Sequence, residues 1–262
     1  MTAARAKLEN SVHGAALVTG AGRRIGAAIA LALARAGYDV ALHCHRSVAA
    51  ATAQARAIEA CGVRAAVLPA DLSDAAQLAP LCARARAALG PLTLLVNSAA
   101  LFEADTFATL SAADFDAQLA VNLRAPLLLA QAFAAALPAR RAGAVVNIID
   151  QRVLRLNPNN FSYTLSKAAL WSATQTMAQA LAPRIRVNAV GPGPSLPNAR
   201  EGARGLAREA RATPLARRVA PEEIAAAVLY LAQAPGVTGQ MIAVDAGQHL
   251  AWQTPDVMIG AG

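Results

Sequence analysis

Tyr163 and Lys167 stand four residues apart in Tyr163-Thr164-Leu165-Ser166-Lys167, and that spacing puts both side chains on one face of a helix. A phenol beside an ammonium is equipment for proton exchange. The cation favours phenolate, which lowers the pKa of the tyrosine and makes it a usable proton donor or acceptor. The lysine is conspicuous for a second reason. The chain has only two lysines, Lys7 and Lys167, and fills its other basic positions with arginine. An exposed ion pair tolerates arginine, whereas a site that needs a compact, rotatable ammonium does not.

A second constellation lies near the N-terminus. The apolar run at 15–19 leads directly into Thr19-Gly20-Ala21-Gly22-Arg23-Arg24-Ile25-Gly26 and then a helical pattern. Gly20 can make the tight turn, Gly26 lets the helix approach the strand, and the helix N-terminus offers free N–H groups to a pyrophosphate. At the end of the next apolar run, a site for NADH would present a carboxylate to the ribose 2′-hydroxyl. Here the chain reads His43-Cys44-His45-Arg46-Ser47. A hydroxyl, a guanidinium and two imidazoles suit a 2′-phosphate, and Arg23 or Arg24 can add charge from the first loop. The expected cofactor is therefore NADPH. Asp71-Leu72 follows the third apolar run; Asp71 either contacts an adenine edge or begins the next helix as its N-cap.

These residues need a scaffold, and the hydrophobic pattern describes one. Short apolar runs at 15–19, 39–43, 65–69, 93–97, 144–149, 186–190 and 241–244 alternate with helical patterns at 25–36, 49–60, 75–89, 112–137, 161–181 and 222–233. Such alternation predicts an α/β fold: one doubly wound Rossmann domain spanning 1–262, with a seven-stranded parallel sheet and helices on both faces. Ligands in such sheets bind beyond the carboxyl ends of the strands. Asn97-Ser98-Ala99-Ala100 ends the fourth strand, Asn122 lies within the long helix after it, and Gly191-Pro192-Gly193 ends the sixth. Residues 1–12 read as a flexible tail, and 191–212 as a mobile substrate loop carrying a short helix.

Composition removes other classes. The net charge of +8 invites a nucleic-acid reading, but the arginines are scattered, without a dense run or interleaved aromatics. No stretch reaches the ~18 uninterrupted apolar residues of a membrane span, and residues 1–10 show no signal pattern, so a cytoplasmic protein without nucleic-acid or membrane partners is expected. Cys44, Cys61 and Cys82 lack metal-ligand spacing, so no metal is expected.

Taken in order, the Thr19–Gly26 loop, Asp71, Asn97 to Ala100, Asn122, Tyr163/Lys167, Pro192-Gly193 and Val244-Asp245-Ala246-Gly247 make the chain resemble the short-chain dehydrogenase/reductase family over nearly its whole length. The resemblance implies that Tyr163 exchanges a proton with substrate. It implies that Lys167 binds the nicotinamide ribose and depresses the tyrosine pKa, and that Asn122 supports a proton-relay water. The cofactor set it implies is Gly20, Arg23, Arg24, Ile25, Gly26, His45, Arg46, Ser47, Asp71, Leu72, Asn97, Ser98, Ala99, Tyr163, Lys167, Pro192 and Gly193. Two departures narrow it. Arg24 stands where most members carry glycine, and Asp150 stands thirteen residues before the tyrosine, where most carry serine. A carboxyl there can help move a proton onto a substrate nitrogen. With the His-x-His-Arg-Ser segment, both departures look like the pteridine reductase branch, which includes dihydromonapterin reductases. Phe102 falls where that branch stacks the pterin ring, so Phe102, Asp150 and Tyr163 form the implied substrate set. Ala100 and Asn160 depart from that branch, which more often has serine and tyrosine there.

The blander readings are an Asp150 paired with Arg152 or Arg155, and a Phe102 that merely packs its loop. The competing functions are a carbonyl or 3-oxoacyl reductase of the same family and a catalytically idle dinucleotide-binding regulator. The family resemblance also implies a homotetramer assembled through the long helices after the fourth and fifth strands, with the tail near Trp252 compatible with it.

Overall fold

The computed structural model describes residues 13–197 and 202–251. Among these residues, seven strands form one sheet: β1 (Ala15–Val18), β2 (Asp39–Cys44), β3 (Ala65–Pro69), β4 (Leu92–Asn97), β5 (Gly143–Ile148), β6 (Ile185–Pro192) and β7 (Met241–Val244). Their order across the sheet is β3-β2-β1-β4-β5-β6-β7, with every neighbouring pair parallel. β1, β2 and β5 are buried at every position, as strands covered on both faces must be.

Eight α-helices supply that cover: α1 (Arg24–Arg35), α2 (Val48–Glu59), α3 (Leu78–Leu89), α4 (Ala112–Leu119), α5 (Ala125–Ala136), α6 (Phe161–Leu181), α7 (Gly202–Arg211) and α8 (Pro221–Gln233), counted among the described residues. Successive strand residues point to opposite faces, and the two cores divide accordingly. Ala16 and Val18 of β1 join Ile29 and Leu33 of α1 and Val228 of α8 on one side. Ala15 and Leu17 join Leu81 of α3 and Leu129 and Phe133 of α5 on the other. The chain winds outward from β1 to β3 and then returns across the sheet to β4. This reversal opens a crevice past the carboxyl ends of β1 and β4.

The predicted continuous helix over 112–137 is interrupted. Ala120–Arg124 forms a π-turn between α4 and α5, a distortion that often marks a functional position in a helix. By length and composition the combined stretch Ala112–Ala136 could cross a bilayer, yet its α5 half packs Leu129, Ala130 and Phe133 into the core. The sixth strand also runs further than its apolar pattern. Gly191 and Pro192 pair with Ala243 and Val244 of β7, so the loop begins at Gly193 rather than Gly191. Residues 198–201 and the tails holding Lys7 and Trp252 lie outside the described residues.

Candidate active site

A cavity of about 770 Å³ runs along the carboxyl edge of the sheet, from the end of β2 to the ends of β5 and β6. That volume lies in the upper part of the range for small-molecule sites, roughly 300–1,000 Å³. One end is basic and built from main chain: Gly20, Arg23, Arg24, Ile25 and Gly26 of the β1–α1 turn, with His45, Arg46 and Ser47 beyond β2. No side chain caps α1, and its first turn holds no acid. The positive end of the helix is therefore left for an anion. The turn is too tight for side chains, since a Cβ on Gly26 would sit 2.3 Å from the Gly20 carbonyl oxygen. Arg24 adopts a left-handed φ of 56°, a backbone state that favours glycine. Its guanidinium donates to the Pro197 carbonyl at 3.0 Å, tying the loop after β6 to the phosphate turn. An uncapped helix start, a glycine cradle and four basic side chains fit the phosphates of a dinucleotide.

Not every residue expected there has that freedom. His43 accepts the Gly20 N–H at Nδ1 (3.2 Å), and its Nε2 meets the Ala70 carbonyl at 3.1 Å. Both ring nitrogens are thus committed to main chain, and burial pushes its pKa down. His43 holds the turn in place, and the imidazole left for a phosphate is His45. Asp71 lines the cavity with Leu72. Its carboxylate accepts from the Ser73 amide and hydroxyl, which hold its pKa below the usual range. The helix start after β3 is capped instead by Asp74, which accepts from the Ala76 amide, so the N-cap alternative for Asp71 is excluded. Ser98 and Ala99 line the cavity, but Asn97 does not. Its side-chain amide donates to Asn147 Oδ1 at 2.9 Å inside the sheet, where it ties β4 to β5.

The reacting end centres on α6. Tyr163 and Lys167 both line the cavity and are almost fully buried. The Tyr163 hydroxyl donates to Asp150 Oδ2 at 3.1 Å. Asp150 Oδ1 accepts the Arg152 amide at 2.9 Å and lies 3.8 Å from the Arg152 guanidinium. Pairing with Arg152 and facing the cavity are thus both true of this carboxyl. Lys167 Nζ donates to the Ile148 carbonyl at 2.8 Å and lies 5.6 Å from the Tyr163 ring centroid.

The electrostatics correct one expectation. The Tyr163 pKa is not depressed but raised well above 10, first by burial and then by the Asp150 carboxylate that accepts its proton. The ammonium is itself weakened, because burial brings Lys167 down to about 8. Burial also raises the Asp150 pKa, against the pull of Arg152. Phenol and carboxyl therefore both favour holding a proton, and they lie within one hydrogen bond of each other.

Phe102 lines the same cavity and meets Tyr163 edge to face at 4.6 Å between centroids, with the Arg152 guanidinium 5.7 Å from its ring. Pro192 and Gly193 also line the cavity. Asn122 stands in the π-turn, outside the cavity lining. Its amide nitrogen donates to the Leu101 carbonyl and Ser166 Oγ, and its Oδ1 accepts the Leu101 amide. In this geometry its side chain anchors the loop that carries Phe102.

Three residues that the pattern does not single out, together with Asn160, complete the arrangement. Asp105 accepts the Ser162 amide and hydroxyl and so caps α6 from another loop. Asn160 precedes that helix with φ 54°, a left-handed state that asparagine tolerates better than tyrosine. Gln151 and Ser195 line the cavity, and each has a buried side-chain oxygen without a hydrogen-bond partner. The cap spans 57 residues of sequence, so no local motif announces it. The last two are orphaned only by the tertiary fold.

Comparison with known proteins accords with this architecture. Residues 20–249 match the adh_short_C2 family model, described as enoyl-(acyl carrier protein) reductase. The chain belongs to the short-chain dehydrogenase/reductase family and is an oxidoreductase. It is similar to FolM alternative dihydrofolate reductase 1 from Brucella suis, solved in complex with NADP: 48% identical, TM-score 0.91, covering 94% of this chain and 99% of that one. The Brucella canis FolM structure, also with NADP, is 47% identical with a TM-score of 0.89, covering 95% of this chain and 100% of that one. A curated relative, the 3-oxoacyl-[acyl-carrier-protein] reductase FabG of Staphylococcus aureus, is 32% identical over 90% of this chain and 98% of its own length.

Proposed function

We propose that this chain uses NADPH to reduce a C=N bond of a dihydropterin. The observation that carries the reading is the Asp150 carboxyl, hydrogen-bonded to Tyr163 inside the cavity. A hydroxyl at that position would only orient a carbonyl oxygen, whereas a buried carboxyl with a raised pKa can pass a proton to a ring nitrogen. The Brucella FolM proteins, named as alternative dihydrofolate reductases, support the same direction.

The bound dinucleotide supplies the hydride. In this reading Gly20, Arg23, Arg24, Ile25 and Gly26 hold its pyrophosphate, while His45, Arg46 and Ser47 hold the 2′-phosphate. Asp71, Leu72, Ser98 and Ala99 flank the adenosine, and Lys167, Pro192 and Gly193 fix the nicotinamide end. Phe102 covers one face of the substrate ring. Tyr163 and Asp150 share a hydrogen bond through which the proton lost to the substrate nitrogen is replaced. Lys167, held by the Ile148 carbonyl, keeps positive charge beside the phenol as that proton leaves. Most of the acceleration comes from holding these groups in place.

A second reading, reduction of a 3-oxoacyl ketone, is favoured by the similarity to the Staphylococcus aureus reductase. NADPH oxidation with a 7,8-dihydropterin and with a 3-oxoacyl thioester separates the two. The proposal predicts turnover of the pterin at least tenfold above the thioester in kcat/KM; the reverse preference overturns it. Turnover of either one disposes of an idle regulatory binder. Assembly as a homotetramer belongs to the same reading. It is supported by an apolar cleft of about 530 Å³ on α4, the π-turn and α5, lined by Leu119, Leu123, Leu127 and Leu128.

A further inference from the structure

We propose that Gln151 determines substrate specificity by accepting a hydrogen bond from the N–H edge of the pyrimidine half of the pterin. This rests on the dihydropterin reading above and adds a residue to it. Gln151 follows Asp150 directly and opens a short 3-10 turn for which Asp150 is the N-cap. Its main chain is wedged against β6, since a Cβ on Gly191 would lie 3.4 Å from the Gln151 amide nitrogen. The residue is 6% exposed and lines the cavity, and its Oε1 has no hydrogen-bond partner.

A buried carbonyl oxygen without a donor is costly, and native folds keep one only where something else satisfies it. The cavity lining shares that character. Ser195, after β6, lines the same cavity and has a second buried oxygen without a partner. A buried acceptor left unpaired in a cavity lining calls for a ligand that presents a donor. The lactam and amino groups of a pterin offer N–H bonds along one edge, whereas a fatty 3-oxoacyl chain offers none. Facing such a chain, Gln151 would stay unpaired, and that penalty discriminates between the two substrate classes. Asp150 and Gln151 are adjacent on a turn held against β6, so the group that delivers the proton and the group that reads the ring are positioned by the same few bonds.

The test compares wild type with Gln151→Leu, which keeps most of the side-chain volume and removes the acceptor, and with Gln151→Glu, which keeps an acceptor. With NADPH saturating, Gln151→Leu raises KM for a 7,8-dihydropterin about tenfold and changes kcat less than about twofold, the signature of lost ground-state recognition. Gln151→Glu stays within about threefold of wild type, and the NADPH Kd from nucleotide fluorescence is the same in all three. If Gln151→Leu does not fold by circular dichroism, Gln151→Ser, too short to reach the ring, must show the same rise in KM. An unchanged dihydropterin KM overturns the proposal. So does a loss that appears equally in the NADPH Kd, because the oxygen then serves the nucleotide. A wild-type enzyme inert toward every dihydropterin defeats the function reading and this one with it. A wild type active on dihydropterins but indifferent to Gln151→Leu defeats this one alone.

Discussion

The chemistry reduces to a carboxyl, a phenol and an ammonium whose proton affinities are set mainly by burial. Asp150 has a raised pKa, so the protonated form that can feed the substrate survives above the usual carboxylate range near ~4. Pterin reduction should therefore fall as pH rises through that elevated pKa. A pH profile of kcat/KM checks this, and Asp150→Asn should remove that limb while leaving a slower reaction. At the opposite end of the cavity, Arg46→Ala should raise KM for NADPH by roughly ten- to a hundredfold and leave NADH use within about threefold, because a charge-assisted bond to the 2′-phosphate is lost. Steady-state kinetics with both nucleotides reads this. Tyr163 and Lys167 were legible from spacing and from the scarcity of lysine, and Asp150 from its departure from a family pattern. The direction of the tyrosine shift was not legible, because it depends on a hydrogen bond between residues 13 apart and on burial that only the fold creates.

At the scale of elements, small irregularities position these groups. Asp105 caps α6, the helix that carries Tyr163, and the π-turn presents Asn122 to the loop carrying Phe102. The β1–α1 turn is braced by His43 and closed by Gly26. Gly26→Ala should abolish measurable nucleotide binding in a calorimetric titration, since its methyl meets the Gly20 carbonyl and the turn must open to admit it. The buried His43 also makes stability pH-dependent. Its folded pKa lies below the ordinary ~6.5. The unfolded chain therefore binds the extra proton first, and the contribution is complete above ~6.5 and lost as pH falls below it. Denaturant melts between pH 7.5 and 5 should show this slope, which His43→Gln should lack. Helices α1, α2, α6 and α8 were legible to within a residue or two from periodicity. The break in the long helix was not, because a π-turn leaves the apolar pattern of 112–137 intact. The true role of His43 was hidden by its neighbours, since two imidazoles beside an arginine read as a phosphate site until the sheet buries one of them.

For the whole molecule, apolar runs separated by helical patterns were enough to give the doubly wound sheet, and the crossover between β3 and β4 sets where the cavity lies. The basic charge has a structural account as well. Arg84, Arg124, Arg184 and Arg186 donate to main-chain carbonyls, so part of the arginine content closes loops and helix ends. The family resemblance already pointed to the long helix after the fourth strand as an assembly element, but which of its leucines line the apolar cleft beside α4 and α5 was not legible, because they fit the same periodicity as core residues. If that face joins subunits, light scattering should report four chains, and Leu127→Arg should yield a smaller species.

The most direct test measures the ratio of kcat/KM for a 7,8-dihydropterin over a 3-oxoacyl thioester in wild type and in Asp150→Ser. If the carboxyl beside Tyr163 delivers a proton to nitrogen, the substitution lowers that ratio by about a hundredfold or more, the scale of a lost general acid. Full dihydropterin turnover by Asp150→Ser, with the ratio unchanged, would contradict the account.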